Sequence, residues 1–249
     1  MFEDIIALTY VKIEPLDQTP NPVDILEITS MNNMFENCIN LVNVSFSKVK
    51  VTEDKLSYLF YDLPKLSDIK FNFFDTSNVK DMSYMFSGLQ SIDFFEVDLD
   101  TSQVTNMQGM FEGCSNLVYL DLGSFDVSKV KNMNNMFKQV INLEFLELTN
   151  FVTDKLESMK GMFQGMASLT SIEIFYFNTE NVIDMSYLFS DCVFLESIEI
   201  DGADTQNVED MSYMFSNCKR LSSLSLQYMN TEKVKNMTAM FENCKSLTE

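Results

Sequence analysis

Apolar and polar positions recur along this chain in a block of 25 or 26 residues. The block is clearest around the stretch DMSYMF, which spans Asp81 to Phe86 and returns word for word at Asp210 to Phe215. Aligned on its closing phenylalanine, the anchors are Phe35, Phe60, Phe86, Phe111, Phe137, Phe163, Phe189, Phe215 and Phe241. A near-constant period of this length predicts a solenoid, in which each coil packs only against its neighbours. Six, nine and eleven residues past the anchor stand apolar residues such as Leu117, Leu120 and Leu122, or Leu143, Leu146 and Leu148. The last two point one way with a polar residue between them, the period of a short strand. Stacking the coils in register pairs these strands into a parallel sheet.

The segment before each anchor reads as a helix. Five residues upstream stand residues such as Asp81, Asn106 and Ser158, whose side-chain oxygens can accept an orphan N–H at a helix start. Two residues past the anchor stand Asn37, Gly88, Gly113 or Asp191, types that tolerate the left-handed conformation ending a helix. A capped helix of about six residues results, too short to be stable without packing. Its inward columns hold 15 of the 18 methionines, as at Met82 and Met85. Leu56, Leu59 and Leu188 take the same positions, so the stripe is core, not a soft-metal site. The expected fold class is therefore α/β, with parallel strands on one face and short capped helices on the other.

The stretches FDTSNVKDMSYMFSG at 74–88 and LDLGSFDVSKVKNMNNMF at 120–137 combine this anchor motif with the spacing L-x2-L-x-L. In that combination the chain resembles the BspA-like family of leucine-rich-repeat surface proteins, from Ile28 to its end. The resemblance implies a non-enzymatic module for adhesion or binding, at the cell surface or secreted, with no catalytic residues to carry over. Residues 1–27 hold three of the four prolines and the strand-like DIIALTYVKIE, and are expected to form an N-terminal cap. Residues 28–249 are then a solenoid of about eight complete repeats plus a truncated ninth, and adjacent repeats or domains of a longer parent chain are expected.

Charge narrows the function further. Seventeen basic against 37 acidic residues give a formal charge of −20, which repels nucleic acid. The chain has no histidine, which removes the Ser-His-Asp and Cys-His systems and the histidine-containing zinc sites. Carboxylates on an open sheet have no pocket to shift their pKa, so no enzyme, cofactor or metal site is expected. The N-terminus carries acidic residues where a signal peptide needs basic ones, which leaves a cytoplasmic location open. No apolar run approaches the ~20 residues of a membrane span, so direct membrane insertion is not expected.

Three sets of side chains remain as candidates. The five cysteines all sit three past an anchor, a column also held by Leu63 and Val140, and are expected to be buried free thiols. A Cys218–Cys244 bridge is the alternative. The Asp or Asn eleven before the anchor, as at Asp75, Asp126 and Asn178, reads as a turn former. Ten past the anchor, outward on the strand, stand Glu96, Asp121, Glu147, Glu173 and Glu199 in successive coils. At a strand spacing of ~4.8 Å neighbouring members repel by roughly 1 kcal/mol in water, a cost a solvated face can carry. Beside them, eight past the anchor, Phe94, Tyr119 and Phe145 are also expected outward. Aromatics beside one sign of charge make a recognition surface for a protein or other macromolecule with a cationic surface, or less readily for Ca2+. The competing reading is an intracellular structural scaffold or assembly subunit whose acidic face is passive.

Overall fold

The computed structural model describes residues 2–15, 25–96, 98–173, 177–199, 204–226 and 229–248. It is a solenoid of stacked parallel strands. Among the described residues no helix is long and apolar enough to cross a membrane. Strand β3 (Asn43–Val51) is flanked on one edge by β1 (Tyr10–Ile13) and β2 (Leu26–Ile28) and on the other by β4 (Asp68–Asp75). Both β3 and β4 bend where Lys48 and Phe73 take positive φ, +53° and +58°, next to the paired Ser47 and Asn72. The bend throws Phe73 outward, 86% exposed. Farther along, β5 (Phe94–Glu96) pairs with β6 (Tyr119–Asp121), and β7 (Ser171–Glu173), β8 (Ser197–Glu199) and β9 (Ser223–Leu224) form a third sheet. The equivalent segment around Phe145 pairs with neither β6 nor β7, although Leu146 and Leu148 beneath it are buried.

The core is a set of ladders running along the solenoid. The nine anchor phenylalanines and Phe2 form one continuous stack, with ring centroids 5.2 to 5.9 Å apart and planes within 13°. The methionine columns and the leucines of the strands close around it, as at Met82, Met85, Leu117 and Leu143. Residues 2–13 follow the path of half a coil: Phe2 N–H donates to the Met34 carbonyl, and Asp4 N–H, at φ +61°, to that of Glu36. A buried threonine ladder ties the turns together, as where Thr76 Oγ1 donates to the Asp100 carbonyl at 2.9 Å and Thr101 Oγ1 to that of Asp126 at 3.0 Å.

The expected short helices do not form: among the described residues there is no helix, and a ribbon of tight turns takes their place. Its cause is two left-handed residues in each coil, one two before the anchor and one two after it. Around Phe86 these are Tyr84 (φ +55°) and Gly88 (φ +77°). Right-handed runs are thus cut every few residues, and alternate N–H groups turn out of the coil. They bond to the next coil instead of four residues back: Met82 to Asn106, Tyr84 to Gln108, Phe86 to Met110 and Gly88 to Glu112, at 2.7 to 3.0 Å. The residues read as helix caps do accept an N–H, but from two residues on, as Asp81 Oδ1 does from Ser83 at 2.9 Å and Asn106 Oδ1 from Gln108 at 3.1 Å. That is the Asx turn, the competing use of the same side chains.

Candidate functional site

The strand pleat puts the candidate side chains outside. Leu120, at the middle of β6, is buried, so its neighbours Tyr119 and Asp121 face solvent. The same alternation exposes Phe94 and Glu96 about Phe95, and Phe145 and Glu147 about Leu146. Parallel register then sets Phe94 opposite Tyr119 and Glu96 opposite Asp121. The two rings stack with centroids 4.4 Å apart and planes within 7°. Phe145, 68% exposed, lies one coil farther on.

A cleft of about 400 Å³ opens where the sheet parts between β6 and the Phe145 segment. Tyr119, Asp121, Phe145 and Glu147 all line it. The structure thus joins four of the eight expected residues in one concavity, with Phe94 attached through its stack on Tyr119. Phe94 and Glu96 border a smaller recess of about 80 Å³ between β4 and β5. Glu173 and Glu199 are partners in backbone register, while their side chains lie outside the described residues.

The carboxylates of the cleft are held locally. Asp121 Oδ1 accepts the Gly123 N–H at 2.8 Å, and Glu147 Oε1 accepts the Thr149 hydroxyl at 3.1 Å. Each keeps lone pairs for a partner. Among the described residues no three carboxylates or thiols converge on a point where a metal could sit.

Sequence reasoning missed the change of sign along the stripe. In the same outward register stand Lys12, Ser45 and Lys70, so the face is basic at its N-terminal end and acidic beyond. Both lysines pair with a flanking acid, Lys12 with Glu14 at 2.7 Å and Lys70 with Asp68 at 3.0 Å. Exposed Val118, beside Tyr119, also lines the cleft. The signal for the change of sign was available in the column ten past the anchor, had the N-terminal coils been aligned with the rest, and that for Val118 in the column seven past it.

The other candidates are structural. Asp75, Asp126 and Asn178 accept N–H groups from Ser77, Ser128 and Glu180 at 2.9 to 3.0 Å, closing turns. Hydrogen bonds from the side chain and backbone of Ser77 hold the Asp75 carboxyl below its usual range, and Ser128 does the same for Asp126. The cysteine thiols donate to the main chain of the preceding coil, as Cys114 does to Phe86 and Cys192 to Phe163, both at 3.1 Å. Burial pushes the thiols of Cys114 and Cys192 up to about 12.

With the repeat geometry in view, a family model described as Mycoplasma protein of unknown function, DUF285, matches residues 10–93, 54–145 and 138–249. The chain belongs to the DUF285 family. Membership over nearly the whole chain accords with the BspA-like leucine-rich-repeat pattern read from the anchor motif. No curated protein matches the chain. Among solved structures, a leucine-rich repeat protein from Bacteroides ovatus is similar at 18% identity over 96% of this chain and 74% of that one, with a TM-score of 0.32. A leucine-rich repeat protein from T. pallidum is 15% identical over 97% of this chain and 79% of that one, TM-score 0.30. A leucine-rich cell surface protein from Faecalibacterium prausnitzii is 14% identical over 96% of this chain and 86% of that one, TM-score 0.34.

Proposed function

We propose that this DUF285 chain is a non-enzymatic binding module whose sheet face, from Phe94 to Glu147, takes a protein partner with a cationic surface, in an adhesive role at the cell surface. The observation that carries the reading is the cleft that joins Tyr119 and Phe145 to Asp121 and Glu147. Aromatic area supplies burial, and adjacent carboxylates supply steering and register for a basic group. Leucine-rich-repeat proteins are in general protein-interaction modules, which supports the class of function without naming a partner.

The test separates the two contributions. A partner captured on the immobilised chain is measured against two variants at low and at physiological salt. Glu96→Gln, Asp121→Asn and Glu147→Gln together should weaken binding most at low salt, because exposed electrostatics are screened beyond roughly 8 to 10 Å at physiological ionic strength. Tyr119→Ser with Phe145→Ser should weaken it at both salts alike. Full affinity in the charge-neutralised variant would move the binding face elsewhere and favour a passive acidic surface.

A further inference from the structure

A second recess lies on the turn-ribbon face, across the phenylalanine stack from the sheet. It has a volume of about 660 Å³ and is lined by residues of four successive coils, from Tyr58 to Ile141. At ~4.8 Å per coil, the three steps make it about 14 Å long.

Its wall is aromatic. Tyr58 and Tyr84 stack with centroids 5.0 Å apart and planes within 15°, and Tyr61 stands edge-on to both, at 5.3 and 6.4 Å. The platform is fixed before any ligand arrives. Gln108 Nε2 donates to Tyr84 Oη at 2.8 Å, and the Tyr84 ring lies on Gly109, where a β-carbon would come within 2.3 Å of it. Tyr58 and Tyr61 remain exposed, at 39% and 45%.

Its floor is bare. Gly88 and Gly113 occupy the column that elsewhere carries Asp62 or Gln139, and both sit at positive φ, +77° and +74°. A β-carbon on Gly113 would meet only the backbone of Gly88, at 3.7 Å. Around that floor stand planar polar groups, Gln90, Glu112, Asn135 and Gln139. Glu112 is already paired with Lys138, at 3.3 Å.

We propose that this recess binds an uncharged oligosaccharide, its sugar rings lying against the tyrosine platform and its hydroxyls meeting the amides and Ser115. A pyranose presents an apolar C–H face and an equatorial rim of hydroxyls, which matches a ring platform bordered by groups that both donate and accept. A peptide or lipid would want more apolar lining than this recess offers. An anionic glycan is disfavoured by the formal charge of −20 and by a lining that holds Glu112 and no lysine, Lys138 beside it being already paired with that carboxylate. The site is independent of the sheet-face cleft.

The chain contains nine tyrosines and no tryptophan, so its intrinsic emission reports on tyrosine alone. Hexasaccharides of β-1,4-glucose, α-1,4-glucose and β-1,4-N-acetylglucosamine are titrated separately into the full chain, and emission and isothermal heat are followed. At least one should bind, with an affinity unchanged between low and physiological salt. Tyr61→Ala should weaken it about tenfold, the scale of losing one stacking ring. Gly113→Asn should also weaken it by raising the floor, and folds safely because Asn217 and Asn243 hold the same column at φ +63° and +60°. Tyr119→Ser, on the other face, should leave it unchanged. The proposal is overturned if none of the three sugars binds at millimolar concentration, or if Tyr61→Ala binds as tightly as the parent, or if binding is lost in Tyr119→Ser.

Discussion

At the scale of single residues, position in the coil decides role. Phe137 touches the rings of both neighbouring coils, at 5.9 Å on each side, and is fully buried. Phe137→Ala should therefore cost about 3 to 5 kcal/mol, read as a lowered denaturation midpoint, and a midpoint equal to the parent's would contradict the stack. The turn aspartates make a pH prediction. Their folded pKa values lie below the unfolded value of about 3.9, so the stability they add is complete above it and drains away as pH falls through the lower folded value. In Asp75→Asn with Asp126→Asn the amide oxygen still accepts, as Asn178 does, but no longer titrates. The acid limb of its thermal melts below about pH 4 should be shallower than the parent's, and superimposable limbs would refute the linkage. The core and the turn aspartates were legible in the sequence because a column mixing Met with Leu, or Asp with Asn, reveals which property the site requires.

At the scale of the element, the strands were legible and the helices were not. Alternation at Leu120 and Leu122 leaves one solution, whereas cap residues such as Asp81 serve a helix or an Asx turn equally well. What decides between them is the left-handed pair in each coil, and one of those positions is held by Tyr58, Tyr84, Tyr187 and Tyr213, which do not advertise positive φ. Packing of each ribbon on the next overrides that local preference. The ribbon itself can be tested at Gly113. Gly113→Val, forced to φ near +74°, should lose roughly 1 to 2 kcal/mol in urea unfolding, while Gly113→Asn should be close to neutral. Equal losses in the two would mean that steric filling, not backbone handedness, governs the position. The break in the sheet at Phe145 was equally invisible, since its apolar spacing matches that of the paired coils.

At the scale of the whole molecule, the cysteine ladder and the coil-to-coil bonding give the chain its unity. Thiol labelling of the native protein should modify few cysteines, with Cys244 the first to react because it alone is partly exposed, and denaturation without reductant should release all five. Fewer than two labelled in denaturant would indicate bridges between coils. The sheet-face cleft was half legible: its residues could be named from their columns, but the concavity depends on where β6 loses its next partner. The bonding of the turn ribbon has a wider result. Tyr84 N–H reaches the Gln108 carbonyl, and the amide on the far side of that same peptide unit, Gly109 N–H, reaches Asn134; the relay passes on through Asn135, Gly161, Tyr187 and Tyr213. Each peptide is a dipole of about 3.5 D, and in such columns they add head to tail as in an α-helix. Here, however, the N–H groups of four columns, those of Met82, Tyr84, Phe86 and Gly88, point toward the C-terminus, while one column at the ribbon's start points back, as Lys80 does to Asp54 and Thr105 to Lys80. The ribbon is thus a rod electret of unequal opposed columns with its net positive pole at the C-terminal end, the reverse of a helix read in the same chain direction.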